Sequence, residues 1–143
     1  MNRMLAQQAA AETIRRVATQ MGLQGVGGAL VVLDGETVWN PTLVVVGNFQ
    51  RGPDPNRGED DTGTNYAAVG FSKLAEMIDT EKNSGTQRDR KPKKGEFGYL
   101  GGVMSRIDNM LILTFFSGGT ENEDNRVAKP ALNTLRDVLA VSA

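Results

Sequence analysis

The segment Phe115-Phe116-Ser117-Gly118-Gly119-Thr120-Glu121-Asn122-Glu123 groups the residue types best able to hold a ligand. Thr120 and Glu123 form a Thr-x-x-Glu capping box, the pair that closes the first turn of a helix. Gly118 and Gly119 ahead of it permit a tight turn. The pattern predicts a strand-to-helix turn with amide donors at a helix N-terminus, a place that holds a carboxylate, a phosphate or a propionate. The plainer reading is a box that caps its own helix. Ser117 has no nucleophilic machinery behind it. The first glycine of a Gly-x-Ser-x-Gly elbow is missing, the chain has no histidine, and no Ser-x-x-Lys occurs. No residue is therefore assigned as catalytic.

Three further side chains complete the candidate set. Lys73 sits at the margin of an apolar helical stripe, where it reaches an anionic ligand or its own helix end; the plainer reading is a solvated, snorkelling lysine. Tyr66 and Tyr99 are the only tyrosines. Each can hydrogen-bond a ligand or ligate ferric iron, or can anchor packing with its hydroxyl at the rim. The candidate ligand-binding residues are thus Ser117, Gly118, Gly119, Thr120, Lys73, Tyr66 and Tyr99.

Other constellations carry less. With no cysteine and no histidine, disulfides, thiolates, imidazole bases and imidazole metal ligands are excluded. Asp54-x-Asn56-x-Gly58 fails the calcium-loop spacing, because the glycine arrives early and the twelfth position is Asn65. The acidic run Glu59-Asp60-Asp61 then reads as a solvated loop, and no metal site is assigned. The basic run Arg88-Asp89-Arg90-Lys91-Pro92-Lys93-Lys94 has no interleaved aromatic, and the net charge is -1, so no nucleic-acid partner is expected. The glycines around Gly25 and Gly28 precede a strand and do not make a dinucleotide fingerprint. No apolar run approaches the ~20 residues of a membrane span, and the start lacks a secretion-signal core. The expectation is a cytoplasmic protein with no membrane partner.

The elements that must position these residues follow from periodicity. Residues 2–21 read as an amphipathic helix ending at Gly22. Residues 26–33 form a buried strand, Asp34-Gly35 a hairpin turn, and a second strand runs near 36–39 and then 42–47, interrupted at Pro41. A long polar loop covers 48–65. A second helix runs from about 65 to 79, and Gly70 within it signals close packing against another backbone. The stretch 80–96 is polar, basic and solvated. A second hairpin, 101–107 and 110–116, turns at Asp108-Asn109, and a last helix starts after Thr120. Pro130 inside it predicts a kink or two short helices in series. The sum is an α+β chain of order α-ββ-α-ββ-α, an antiparallel sheet of about 4–5 strands flanked by helices, with the helices on one face, in a single domain over 1–143.

The run Ser117 to Ala128 resembles the C-terminal signature of GlcG/HbpS-like domains: Ser-Gly-Gly, a small polar residue, acidic positions, then Val127-Ala128. Ala67-Ala68-Val69-Gly70-Phe71-Ser72-Lys73-Leu74-Ala75 resembles that family's central helix, with the lysine in the matching place, and Ala29 to Gly35 its first strand and turn. The resemblance implies a profilin- or GlcG-like layered domain, assembled as a homo-oligomer. It also implies a small anionic ligand, with haem or a related tetrapyrrole bound by some members. The chain departs from the family in its charged loop at 48–65, its basic stretch at 80–96 and its Pro130. Two alternatives remain open. One is a structural or assembly protein without a ligand. The other is an accessory enzyme acting on a small hydroxy-carbonyl compound, with Glu121, Glu123, Lys73 and Tyr66 as acid/base candidates.

Overall fold

The computed structural model describes residues 2–141; residues 1, 142 and 143 of the expected domain lie outside it. Helix α1 (Arg3–Gln20) begins where the Asn2 side chain accepts the Leu5 amide, and ends as expected at Gly22, whose φ is +71°. Strand β1 (Gly25–Leu33) follows. The Asp34-Gly35 turn forms, with the Glu36 amide donating to Leu33 O. No ladder continues from it, however. Glu36 turns its carboxylate onto the Leu33 amide (2.6 Å) and onto Arg3 (2.5 Å), and Pro41 offers no amide. The expected strand at 36–39 is therefore absent. Pairing resumes only at β2 (Thr42–Val46), registered Ala29↔Thr42 to Gly25↔Val46.

The polar segment after β2 is organised. Strands β3 (Gln50–Arg51) and β4 (Thr64–Asn65) make a small separate ribbon. Its loop closes on Asp61, which accepts from Arg51 (2.8 Å) and from the Asp54 amide (2.8 Å). The Arg51 guanidinium, with the Asp54 and Gly63 amides, holds the Asp61 carboxyl far below the usual range. Asp61 is thus a structural hub and not the solvated residue expected from the acidic run.

Helix α2 (Tyr66–Thr80) starts at the Asn65 cap. Strands β5 (Gly102–Ile107) and β6 (Met110–Ser117) form the second hairpin. Helix α3 (Glu121–Val141) closes the described chain. The main sheet has the order β2-β1-β6-β5, antiparallel throughout. With the small ribbon apart, this is the α+β architecture expected, with a four-stranded sheet.

Two expectations are corrected. Helices cover both faces of the sheet, not one. Alternation along β1 sends Ala29 and Val31 toward α1 and α3, and Leu30 and Val32 toward α2. A strand as apolar as β1 needs cover on both sides. Second, α3 is one continuous helix through Pro130, not two in series. Val127, Ala128, Ala131 and Leu132 are buried on either side of the proline, and Arg126, whose carbonyl loses its partner, lies exposed to water.

Gly70 marks a close approach, but to an aromatic ring and not to the backbone that its place in the helix predicted. A Cβ there would lie 2.6 Å from Cε2 of Phe115, so α2 rides directly on β6. The stretch after α2 is also tied down. The Gly102 and Met104 amides donate to Ser84 Oγ and Asn83 Oδ1 (both 2.9 Å), so this segment covers the outer edge of β5. Arg90 bridges Asp79 and Glu96, and Lys93 adds a bond to Asp79. The expected solvated loop is laced at two points, where Arg90 and Lys93 meet carboxylates from α2 and from Glu96.

Candidate functional site

The last residue of β6, the turn into α3, the middle of α2 and the approach to β5 converge on one cleft. Lys73 is its centre. It is 2% exposed, and so is neither solvated nor snorkelling. Its Nζ donates to Phe116 O and to Asp124 Oδ2, both at 2.8 Å. These acceptors are what permit an ammonium inside the fold. Spacing explains the placement: Gly70, Lys73, Leu74 and Met77 recur on one face of α2, and that face is buried. Desolvation pushes the Lys73 ammonium down from its ordinary value and the Asp124 carboxyl up, while each partner works against the shift of the other.

Asp124, in the first turn of α3, was not among the residues singled out from the sequence. It joins the elements here. Its Oδ2 takes Lys73, and its Oδ1 accepts the Gly119 amide at 2.8 Å. No local signal in the sequence marks it, because its partner stands 51 residues away on another helix. The capping box itself forms: Thr120 N donates to Glu123 Oε1 (2.9 Å) and Glu123 N to Thr120 Oγ1 (3.2 Å). Bonding of Glu123 by Thr120 holds its carboxyl below the usual range.

That geometry changes the reading of the glycine turn. The amides of Gly119, Thr120 and Glu123 are occupied by the chain's own side chains. The expected set of spare donors is largely consumed. Gly118 packs against the backbone of Gln24 and Gly25, where a Cβ has no room. It lets two chain segments cross and does not line the cleft.

Five of the predicted residues do line it: Lys73, Tyr99, Ser117, Gly119 and Thr120. Thr64, Val69, Glu121 and Asp124 complete the wall, and the space is about 320 Å³. Tyr99 is 46% exposed at the mouth, its ring 5.9 Å from that of Phe97. Glu121 Oε1 accepts the Leu100 amide (2.8 Å) and anchors the segment that carries Tyr99. Tyr66 lies apart. It is buried at the start of α2, its amide donating to Phe49 O, and it packs instead of facing the cleft.

A tetrapyrrole does not fit these residues. The cleft sits at the small end of the ~300–1,000 Å³ typical of ligand pockets. Val69 is its one aliphatic wall, and Tyr99 its one side chain of a haem-ligating type. Glu121 and Asp124 put carboxylates on a wall that a dianionic tetrapyrrole would have to approach. A larger hollow of about 730 Å³ lies between α1 and residues 36–40, but Gln7 and Arg3 on its wall are spent on Val31, Asn40, Thr42 and Glu36.

No helix among the described residues is long and apolar enough to cross a membrane. Neither a family model nor a curated protein matches the sequence.

Proposed function

We propose that this chain is a small-ligand-binding module of the GlcG/HbpS-like kind, its ligand a hydroxyl-bearing molecule that presents a carbonyl or carboxylate oxygen to Lys73. One observation carries the reading. An ammonium has three N–H donors, and Phe116 O and Asp124 account for two of those of Lys73. The third belongs to a side chain on the cleft wall. The hydroxyls of Tyr99, Thr120 and Ser117 and the carboxylate of Glu121 suit a hydroxylated partner. The opposed charges of Lys73 and Asp124, with Glu121 added, favour a carbonyl or a single carboxylate over a polyanion such as a phosphate. Thermal unfolding with glycerate, glyceraldehyde and haemin tests it. Ligand at a hundredfold excess over Kd stabilises by ~2.7 kcal/mol. A rise in Tm with glycerate or glyceraldehyde, abolished in Lys73→Met, is expected; a rise with haemin alone would overturn the reading.

A second reading, compatible with the first, is self-assembly, and β2 favours it. Thr42–Val46 carries no charge, Leu43 is 43% and Val45 54% exposed, and no bond among the described residues covers the strand's outer edge. The opposite edge, β5, is covered by Asn83 and Ser84. Uncovered apolar edges attract another strand, and a two-fold pairing of β2 with itself needs no second kind of partner. Light scattering behind size-exclusion chromatography decides it: a dimer that Val45→Lys dissociates is expected, and a monomer at high concentration would end it.

A further inference from the structure

Lys73 differs from every other lysine in the chain. Lys82, Lys91, Lys93, Lys94 and Lys129 are exposed, while Lys73 is buried in the wall of a cleft. The space around that amine is set by backbone. Gly101 has φ +122°, and a Cβ there would lie 2.5 Å from Nζ. The nearest strong acceptor is a carboxylate at 2.8 Å that is almost as buried as the amine. Proton transfer across that bond turns a charged pair into a neutral amine and a neutral acid with no change in net charge. Burial favours the neutral forms of both. A desolvated lysine amine attacks carbonyl carbon once its proton has an acceptor, and Asp124 stands within hydrogen-bond reach to take it.

We propose that Lys73 captures its ligand covalently, as an imine of a small hydroxylated aldehyde or ketone; this rests on the ligand cleft described above. Nζ gives one proton to Asp124 Oδ2, and its lone pair forms a bond to the carbonyl carbon. The carbonyl π pair moves to oxygen, which takes a proton from the nitrogen to give a carbinolamine. Asp124 returns its proton to the hydroxyl, the C–O bond breaks, and water leaves. The product is an iminium cation that keeps the ion pair with the restored Asp124 carboxylate. Charge and atoms balance: the ammonium's three protons end as one on the iminium and two in water.

Reductive trapping tests this on the intact chain. The protein is treated with glyceraldehyde and cyanoborohydride near neutral pH, and labelled lysines are mapped by peptide mass spectrometry. Labelling of Lys73 about tenfold faster than the exposed Lys82 and Lys129 is expected, because its amine alone is desolvated and hydrogen-bonded to a buried carboxylate. Lys73→Arg, which keeps the charge, removes the fast label and leaves the slow ones. Labelling of Lys73 no faster than Lys82 would overturn the proposal. Native mass spectrometry with glycerate, which lacks an electrophilic carbonyl, separates the two claims. Glycerate bound without fast labelling refutes capture and spares the cleft, whereas neither signal refutes both.

Discussion

Lys73→Met, Asp124→Asn and the double variant form a cycle whose outcome follows from the burial of both groups. The two side chains are 2% and 5% exposed and 2.8 Å apart. Removing one partner of a buried pair strands the other charge, at a cost of ~3–5 kcal/mol. Asp124→Asn belongs at the upper end, because it strands an ammonium that keeps only Phe116 O as acceptor. Lys73→Met belongs at the lower end, because Asp124 retains the Gly119 amide. The double variant strands neither charge, and the carboxamide oxygen that Asp124→Asn introduces can still accept that amide. It should fall short of the sum of the singles by about 2–3 kcal/mol. Urea unfolding with an unchanged m-value is the assay. The pH axis adds an independent check. Burial lowers Lys73 below 10.5, so the unfolded chain binds more protons in the window beneath that value, and wild-type stability rises with pH there. Burial raises Asp124 above 3.8, so the folded chain binds more protons just above that value, and stability falls as pH rises through that window. Both slopes should weaken in the double variant. Singles that add within ~0.5 kcal/mol would refute the coupling on which the site depends.

Gly70→Ala places a methyl group 2.6 Å from the Phe115 ring and should destabilise by ~1–3 kcal/mol in thermal or urea unfolding; a neutral result would refute the close approach of α2 to β6. Pro130→Ala restores a bond to the Arg126 carbonyl inside a continuous helix and should stabilise by ~1–3 kcal/mol, read from Tm. Asp61 is held well below its usual range by Arg51, so its contribution is present above pH ~3.8 and lost as pH falls through the depressed value. Arg51→Gln should therefore raise the acid-unfolding midpoint, followed by circular dichroism, and an unmoved midpoint would count against the hub.

Local signals carried most of the architecture. Gly22 and the Thr120/Glu123 box stand where caps were expected, and apolar runs and helical spacing located the strands of the main sheet and all three helices. Non-local partners were less legible. Glu36 looked like strand, but its carboxylate is claimed by Arg3 and Leu33 N. Pro130 predicted a kink or two short helices in series, and the core on both sides of it carries one helix through. Lys73 looked like surface because its acceptor, Asp124, comes from another helix. The glycine turn was read as open to a ligand, while its amides are closed by carboxylates a few residues ahead. Glu36 and Lys73 each found a partner far along the chain that local propensity does not encode.

The pairing of β1 with β6, from Leu33↔Met110 to Val26↔Ser117, has a consequence for how the chain is made. Both hairpins are built from neighbouring sequence, yet the seam that unites them joins the chain's first strand to its last. Contacts of such separation are slow to form, because loop closure precedes their reward. On the ribosome β1 emerges with no charged side chain and an open edge, long before β6 is synthesised. In that interval the polar stretches around Asp61 and Arg90 are its neighbours in the nascent chain. Charged segments that accompany an uncovered apolar strand limit its association with other chains.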